Sequence, residues 1–144
     1  MPTIRRINDR ISVAPQIDAA DIAALKQAGF VAIVNNRPDD EETGQPAGDA
    51  IRAAAEAAGM AYTAIPVTHA GFSLPQVEAM AGALAAADGP VLAYCRSGTR
   101  SCNLWALAEA RGGGDADAII DAGAGAGYDL SAIRPLLDQL SHQG

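Results

Sequence analysis

The chain has 144 residues, the size of one compact domain, and with 49% apolar residues it can bury a core without disulfides or a structural metal. A net charge of −7 and a pI near 4.6 argue against nucleic acid or an anionic membrane as the main partner. Two cysteines and two histidines, scattered without ligand spacing, give no disulfide framework and no metal site, and no cofactor is expected.

Met1 to Asp9 carries arginines with no apolar stretch behind them, so it does not read as a signal peptide. No apolar run approaches the roughly 20 residues needed to span a bilayer. A cytoplasmic protein with reduced thiols is the expectation.

Residues 3–7 and 11–14 read as a short hairpin around Asn8-Asp9. A helix is predicted over 17–28, capped by Asp18 or Asp21, with Ile22 and Leu25 on its apolar side and Gly29 as its stop. The β-branched run 31–34 is a buried parallel strand, ended by Asn35-Asn36-Arg37-Pro38. After a polar loop over 39–48, Asp49 caps an alanine-rich helix over 50–58 that Gly59 closes. A strand over 62–67 is punctuated by Pro66, and Ser73 caps a helix over 74–87 with Pro75 in its first turn. Asp88-Gly89-Pro90 turns into a strand over 91–94. A polar loop and a helix reaching about Arg111 follow, and two helices near 116–122 and 130–140 close the chain. No repeat or linker divides it. The alternation predicts one α/β domain over 1–144, a mostly parallel sheet of four to five strands flanked by helices. Such sheets bind ligands at the carboxyl ends of their strands.

The loop after the 91–94 strand is Cys95-Arg96-Ser97-Gly98-Thr99-Arg100-Ser101. A tight turn between a strand and a helix N-terminus points several N–H groups into one concavity, and the helix dipole adds positive potential. That setting favours a thiolate, so Cys95 is the candidate nucleophile. Gly98 supplies freedom for the curve, Ser97 belongs to the cradle, and Thr99 or Ser101 can donate a hydroxyl to the sulfur. Arg96 and Arg100 supply charge for an anionic substrate, Arg100 acting in catalysis with Cys95. The alternative is a buried structural cysteine. Two arginines, three hydroxyl residues and a glycine in the next six positions speak against it.

Cys95 to Ser101 resembles the active-site loop of rhodanese-type sulfurtransferases. The wider frame, Ile11-Ser12-Val13-Ala14-Pro15-Gln16 with Ile65-Pro66-Val67 and the loop after Val91-Leu92-Ala93-Tyr94, resembles the dual-specificity tyrosine phosphatase fold. Over nearly its whole length the chain is most similar to the bacterial phosphatase-like domain of beta-lactamase hydrolase-like proteins. Asn35-Asn36-Arg37-Pro38-Asp39, Ile65-Pro66-Val67, Cys95 to Ser101 and Gly127-Tyr128-Asp129-Leu130 carry that match. The resemblance implies a dual-specificity phosphatase-like fold, with sulfurtransferase activity tied to persulfide metabolism in some members and phosphatase activity in others.

Two departures from the phosphatase pattern favour sulfur. Only four residues separate Cys95 from Arg100, where a phosphatase loop has five, and the position that should be arginine is Ser101. A phosphatase also protonates its leaving alkoxide, usually with a carboxylic acid, yet no carboxylate lies between Ala61 and Gln76. The favoured expectation is a sulfurtransferase that moves a sulfane sulfur from thiosulfate or a persulfide to a thiol or cyanide through a Cys95 persulfide. The alternative is a tyrosine or dual-specificity-type phosphatase working through a phosphocysteine, with His69 as acid or residues 39–42 folded over the site. A second alternative is a non-catalytic module that senses an anion or persulfide. The implied partners are a small anionic sulfur donor, a thiol acceptor and a protein of persulfide metabolism.

Arg37, at the end of a central strand, and His69 are further candidates for substrate binding, with a solvent-exposed loop arginine and a structural or merely exposed histidine as the alternatives. Cys102 reads as a core thiol, since seven residues of helix rise about 10 Å, beyond the roughly 7 Å between Cα atoms that a disulfide allows. Trp105, Leu104 and Leu107 read as core, and the glycines at 112–114, 123, 125 and 127 as helix stops and turns.

Overall fold

The computed structural model describes residues 3–143; Met1 and Pro2, which open the arginine-bearing N-terminal stretch, lie outside them. A five-stranded sheet forms the middle layer. In chain order its strands are β1 (Arg5–Arg6), β2 (Ile11–Ala14), β3 (Ala32–Asn35), β4 (Ala61–Ala64) and β5 (Val91–Tyr94), arranged β1-β2-β5-β3-β4. β1 is antiparallel to β2 and the other pairings are parallel.

Alternation along the strands divides the core in two. Ile11, Val13, Ala32, Val34, Val91 and Ala93 face α3 (Leu74–Ala86), α4 (Thr99–Arg111), α5 (Ala116–Gly125) and α6 (Arg134–Gln143). Ala14, Ile33, Leu92 and Tyr94 face α1 (Ile22–Gln27) and α2 (Gly48–Ala57). A register slip of one residue would exchange these sets, placing Leu92 and Tyr94 in the layer fitted to Val91 and Ala93. Since each buried large apolar side chain contributes about 1.5–3 kcal/mol, register is strongly set, and with it the point where β5 delivers Cys95.

Several boundaries differ from the sequence expectation for local reasons. The 17–28 helix is a 3-10 turn, Ala19–Asp21, followed by α1, and the Asp21 carboxylate accepts the Asp18 N–H at 2.8 Å. α2 begins two residues early. Its cap comes from Asp39, whose carboxylate accepts the Gly48 N–H at 2.9 Å, while Asp49 sits in the first turn. β4 stops at Ala64, although Ile65 and Val67 still donate to the Asn35 and Asn36 carbonyls. The closing helix is also divided, with a 3-10 turn Ser131–Ile133 leading into α6.

Candidate active site

The β2–β5 ladder runs one step past β5, where the Cys95 N–H donates to the Ala14 carbonyl at 3.3 Å. The chain then turns sharply. Gly98 sits at φ +90°, in the left-handed region, and α4 starts at Thr99. The loop curls so that the Gly98 N–H points back to the Cys95 sulfur at 3.1 Å. The buried sulfur therefore lies against the N-terminal end of α4, where the first N–H groups and the helix dipole favour an anion.

The two hydroxyls expected near the sulfur differ. Thr99 Oγ1 accepts from Ser97 Oγ at 3.0 Å. Ser101 is buried and its Oγ has no hydrogen-bond partner among the described residues, so neither hydroxyl makes the bond to the sulfur that the sequence suggested. Arg96 is exposed, with one guanidinium nitrogen 3.6 Å from Glu42.

Arg100 is drawn inward. Its Nη1 donates to the Val67 carbonyl and to Glu41 Oε2, both at 2.7 Å, and its Nη2 donates to Glu41 Oε1 at 2.8 Å. Glu41 also accepts from Arg37 Nε at 2.9 Å. The Arg100 hydrogen bonds, opposed by burial and reinforced by Arg37, hold the Glu41 carboxyl at about 2, well below the usual carboxylate range. The same pairing raises Arg100 above its ordinary value, with the nearby Cys95 sulfur adding to it.

Arg37 is 3% exposed. Its three guanidinium nitrogens donate to Glu41, Gln16 at 3.1 Å and Glu42 at 3.0 Å. It thus anchors the acidic segment over the loop. That segment turns through Asp40 at φ +62° and is tied down by Gln45, which bonds both Glu41 N–H and the Pro38 carbonyl. His69 is exposed on the turn that follows Val67. Cys102 is fully buried, and burial, with the Cys95 sulfur nearby, pushes its thiol up to about 12. No group of three or more metal-ligating side chains occurs among the described residues, nor is any helix of theirs long and apolar enough to cross a membrane.

The structure thus brings together Cys95, Ser97 and Gly98 in the loop with Thr99, Arg100 and Ser101 in the first turn of α4, where the sequence suggested loop, with Arg37 behind an acidic cap and Arg96 at the rim. Sequence reading allowed residues 39–42 to fold over the site but missed that Glu41 is the partner of both Arg37 and Arg100. Its signal was an acidic run at the carboxyl edge of a central parallel strand. Sequence reading also missed Gln16 and the Val67 carbonyl.

The family described as beta-lactamase hydrolase-like protein, phosphatase-like domain, matches residues 3–112. A beta-lactamase hydrolase-like protein of Agrobacterium fabrum is 41% identical over 94% of this chain, which corresponds to 32% of that protein. The chain therefore spans about a third of the length of the curated relatives it matches. Among solved structures, a candidate phosphatase from Neisseria meningitidis superposes with a TM-score of 0.82 at 36% identity, covering 95% of this chain and 97% of that one. Tk-PTP in its active form shares the fold, with a TM-score of 0.74 at 16% identity over 99% of both chains.

Proposed function

The chain belongs to the family of phosphatase-like domains of beta-lactamase hydrolase-like proteins, and from that premise we propose that it is a cysteine-dependent phosphoric monoester hydrolase acting on aryl phosphates. The observation that carries the proposal is the convergence of the Gly98 N–H on the Cys95 sulfur at the head of α4, with Arg100 beside it. The Cys95 thiolate attacks phosphorus, the P–O ester bond breaks, and the leaving oxygen takes a proton from water. Water then hydrolyses the phosphocysteine, releasing inorganic phosphate and restoring the thiolate. Loop N–H groups and Arg100 balance charge on the phosphoryl oxygens.

Leaving-group chemistry narrows the substrate class. Glu41 is ionised at neutral pH and paired with two arginines, so it is no proton donor there. A phenol, with a pKa near 10, departs without strong acid help far more readily than an alkyl alcohol. Aryl esters, including phosphotyrosine-like groups, fit a site of this kind.

Sulfur transfer is the second reading, favoured by the four-residue spacing from Cys95 to Arg100 and by the missing carboxylate after Val67. In that chemistry Cys95 attacks the outer sulfur of thiosulfate, the S–S bond breaks, sulfite leaves, and a thiol or cyanide takes the sulfur from the persulfide. Intact mass spectrometry after brief exposure to an aryl phosphate or to thiosulfate separates the readings, with Cys95→Ser as control. A phosphoryl adduct on the native protein alone supports the phosphatase. A single added sulfur, released by cyanide, overturns it in favour of sulfur transfer, and anion binding without either adduct points to a sensor.

A further inference from the structure

We propose that Tyr128 is a positioning residue for the nucleophile, fixing the Ser97-Gly98 peptide so that its N–H faces the Cys95 sulfur. The inference rests on Cys95 being the nucleophile and holds equally for phosphoryl and sulfur transfer.

A trans peptide directs its N–H and C=O to opposite sides, and there are no cis bonds among the described residues. On the inner side the Gly98 N–H donates to Cys95 Sγ at 3.1 Å. On the outer side the Tyr128 hydroxyl donates to the Ser97 carbonyl of that same peptide at 3.2 Å. The lock is needed because of Gly98. Glycine adopts either sign of φ readily, so the peptide can turn over and aim its carbonyl at the sulfur, where it would repel a thiolate and an anionic substrate. In the productive orientation Tyr128 donates to the Ser97 carbonyl, whereas after the flip it would face the N–H and could only accept, with the carbonyl left against the sulfur. It also polarises the amide, which strengthens the N–H as a donor.

The phenol fills the space beside the glycine. A Cβ on Gly98 would lie 2.2 Å from Tyr128 Oη and 3.2 Å from Cζ. Tyr128 is itself braced from outside the loop. Its N–H donates to the Gly123 carbonyl at 2.9 Å, and the Arg5 guanidinium lies 5.9 Å from its ring centroid while donating to the Ala126 carbonyl at 3.4 Å. Burial pushes the phenol up, so it stays protonated and able to donate. Tyr128 lies beyond the matched residues 3–112, in the connection between α5 and the Ser131–Ile133 turn. The α5–α6 unit therefore contributes to the site as well as to the core.

Tyr128→Phe keeps the ring and removes the hydroxyl; Tyr128→Ala removes both. On the full chain, four quantities are compared with the native protein: the rate of Cys95 alkylation by iodoacetamide at neutral pH, kcat and KM with an aryl phosphate and with thiosulfate, the Gly98 amide proton resonance, and Tm. For Tyr128→Phe we expect Tm to be nearly unchanged and the Gly98 resonance to move upfield. Alkylation and kcat should fall about fivefold, as befits one hydrogen bond, with KM changing less than twofold. Native alkylation and an unmoved Gly98 resonance in Tyr128→Phe would overturn the proposal, as would losses seen only in Tyr128→Ala together with a lower Tm. If the native protein turns over neither substrate while the Phe variant still slows alkylation and shifts Gly98, the positioning role stands and the functional reading falls.

Discussion

Arg100 and Glu41 meet in a two-point ion pair, with both terminal guanidinium nitrogens within 2.8 Å of the two carboxylate oxygens, although 59 positions separate them in sequence. One residue lies in the first turn of α4 and the other belongs to the loop after β3. The pair places a resident carboxylate on the arginine proposed to hold an anionic substrate.

Replacing Glu41 with Gln removes that charge while leaving the Val67 carbonyl to hold Arg100. Repulsion between the carboxylate and a nearby bound oxyanion is on the order of 1 kcal/mol in a partly solvated site. Orthovanadate or sulfate should therefore bind Glu41→Gln about fivefold more tightly, as read from inhibition constants or calorimetry. Weaker binding would mean that Glu41 chiefly orients Arg100.

The pair also couples stability to acid. Because the Glu41 carboxyl is lowered from 4.5 to about 2 on folding, its stabilisation is fully present above the unfolded value and is lost as pH falls from about 4.5 to about 2. Its size, discounted for partial exposure, is about 1–3 kcal/mol. In urea unfolding the native protein should exceed Glu41→Gln by a constant margin above pH 5, and the margin should close across that window. A margin that does not change with pH would remove the ion pair from the account.

Gly98→Ala combines two penalties, a left-handed φ and a Cβ only 2.2 Å from the Tyr128 hydroxyl. A loss of about 2–4 kcal/mol in stability is expected, with turnover abolished. Adding Tyr128→Ser should recover the steric part alone, so the double variant should be more stable than Gly98→Ala yet inactive.

Asp39→Ala removes the carboxylate that accepts the first N–H of α2. A cost near 1 kcal/mol is expected, the usual size of a lost helix cap. Asp49→Ala, in the same turn but without a cap bond, should cost clearly less, and thermal denaturation of the two variants side by side decides it.

What the sequence conveyed was local. The apolar run at 91–94 followed by Cys95, two arginines and Gly98 marks a strand, a turn and a helix start within ten residues, and the structure places them so. The fold class was legible for the same reason, since the apolar runs alternate with helix caps and glycine stops. The Asp39 cap on Gly48, the Glu41–Arg100 pair and the bond from Tyr128 to Ser97 all depend on chain closure over 9 to 59 residues, and no local pattern reports them. Arg37 shows the limit well. Its place at a strand edge suggested a ligand-facing arginine, yet three neighbours drawn from two loops occupy its guanidinium.

The complete burial of Cys95 beneath this arrangement has a bearing on how the protein survives between turnovers. A sulfur with no open face meets neutral electrophiles and peroxide slowly, whereas an anionic reagent can contend with Glu41 for Arg100 and part the cap as it enters. Iodoacetate should consequently inactivate the protein faster than iodoacetamide, the reverse of their order with free thiols, and saturating sulfate should erase the difference. The carboxylate predicted to weaken anion binding would then also act as a safety catch on the proposed nucleophile.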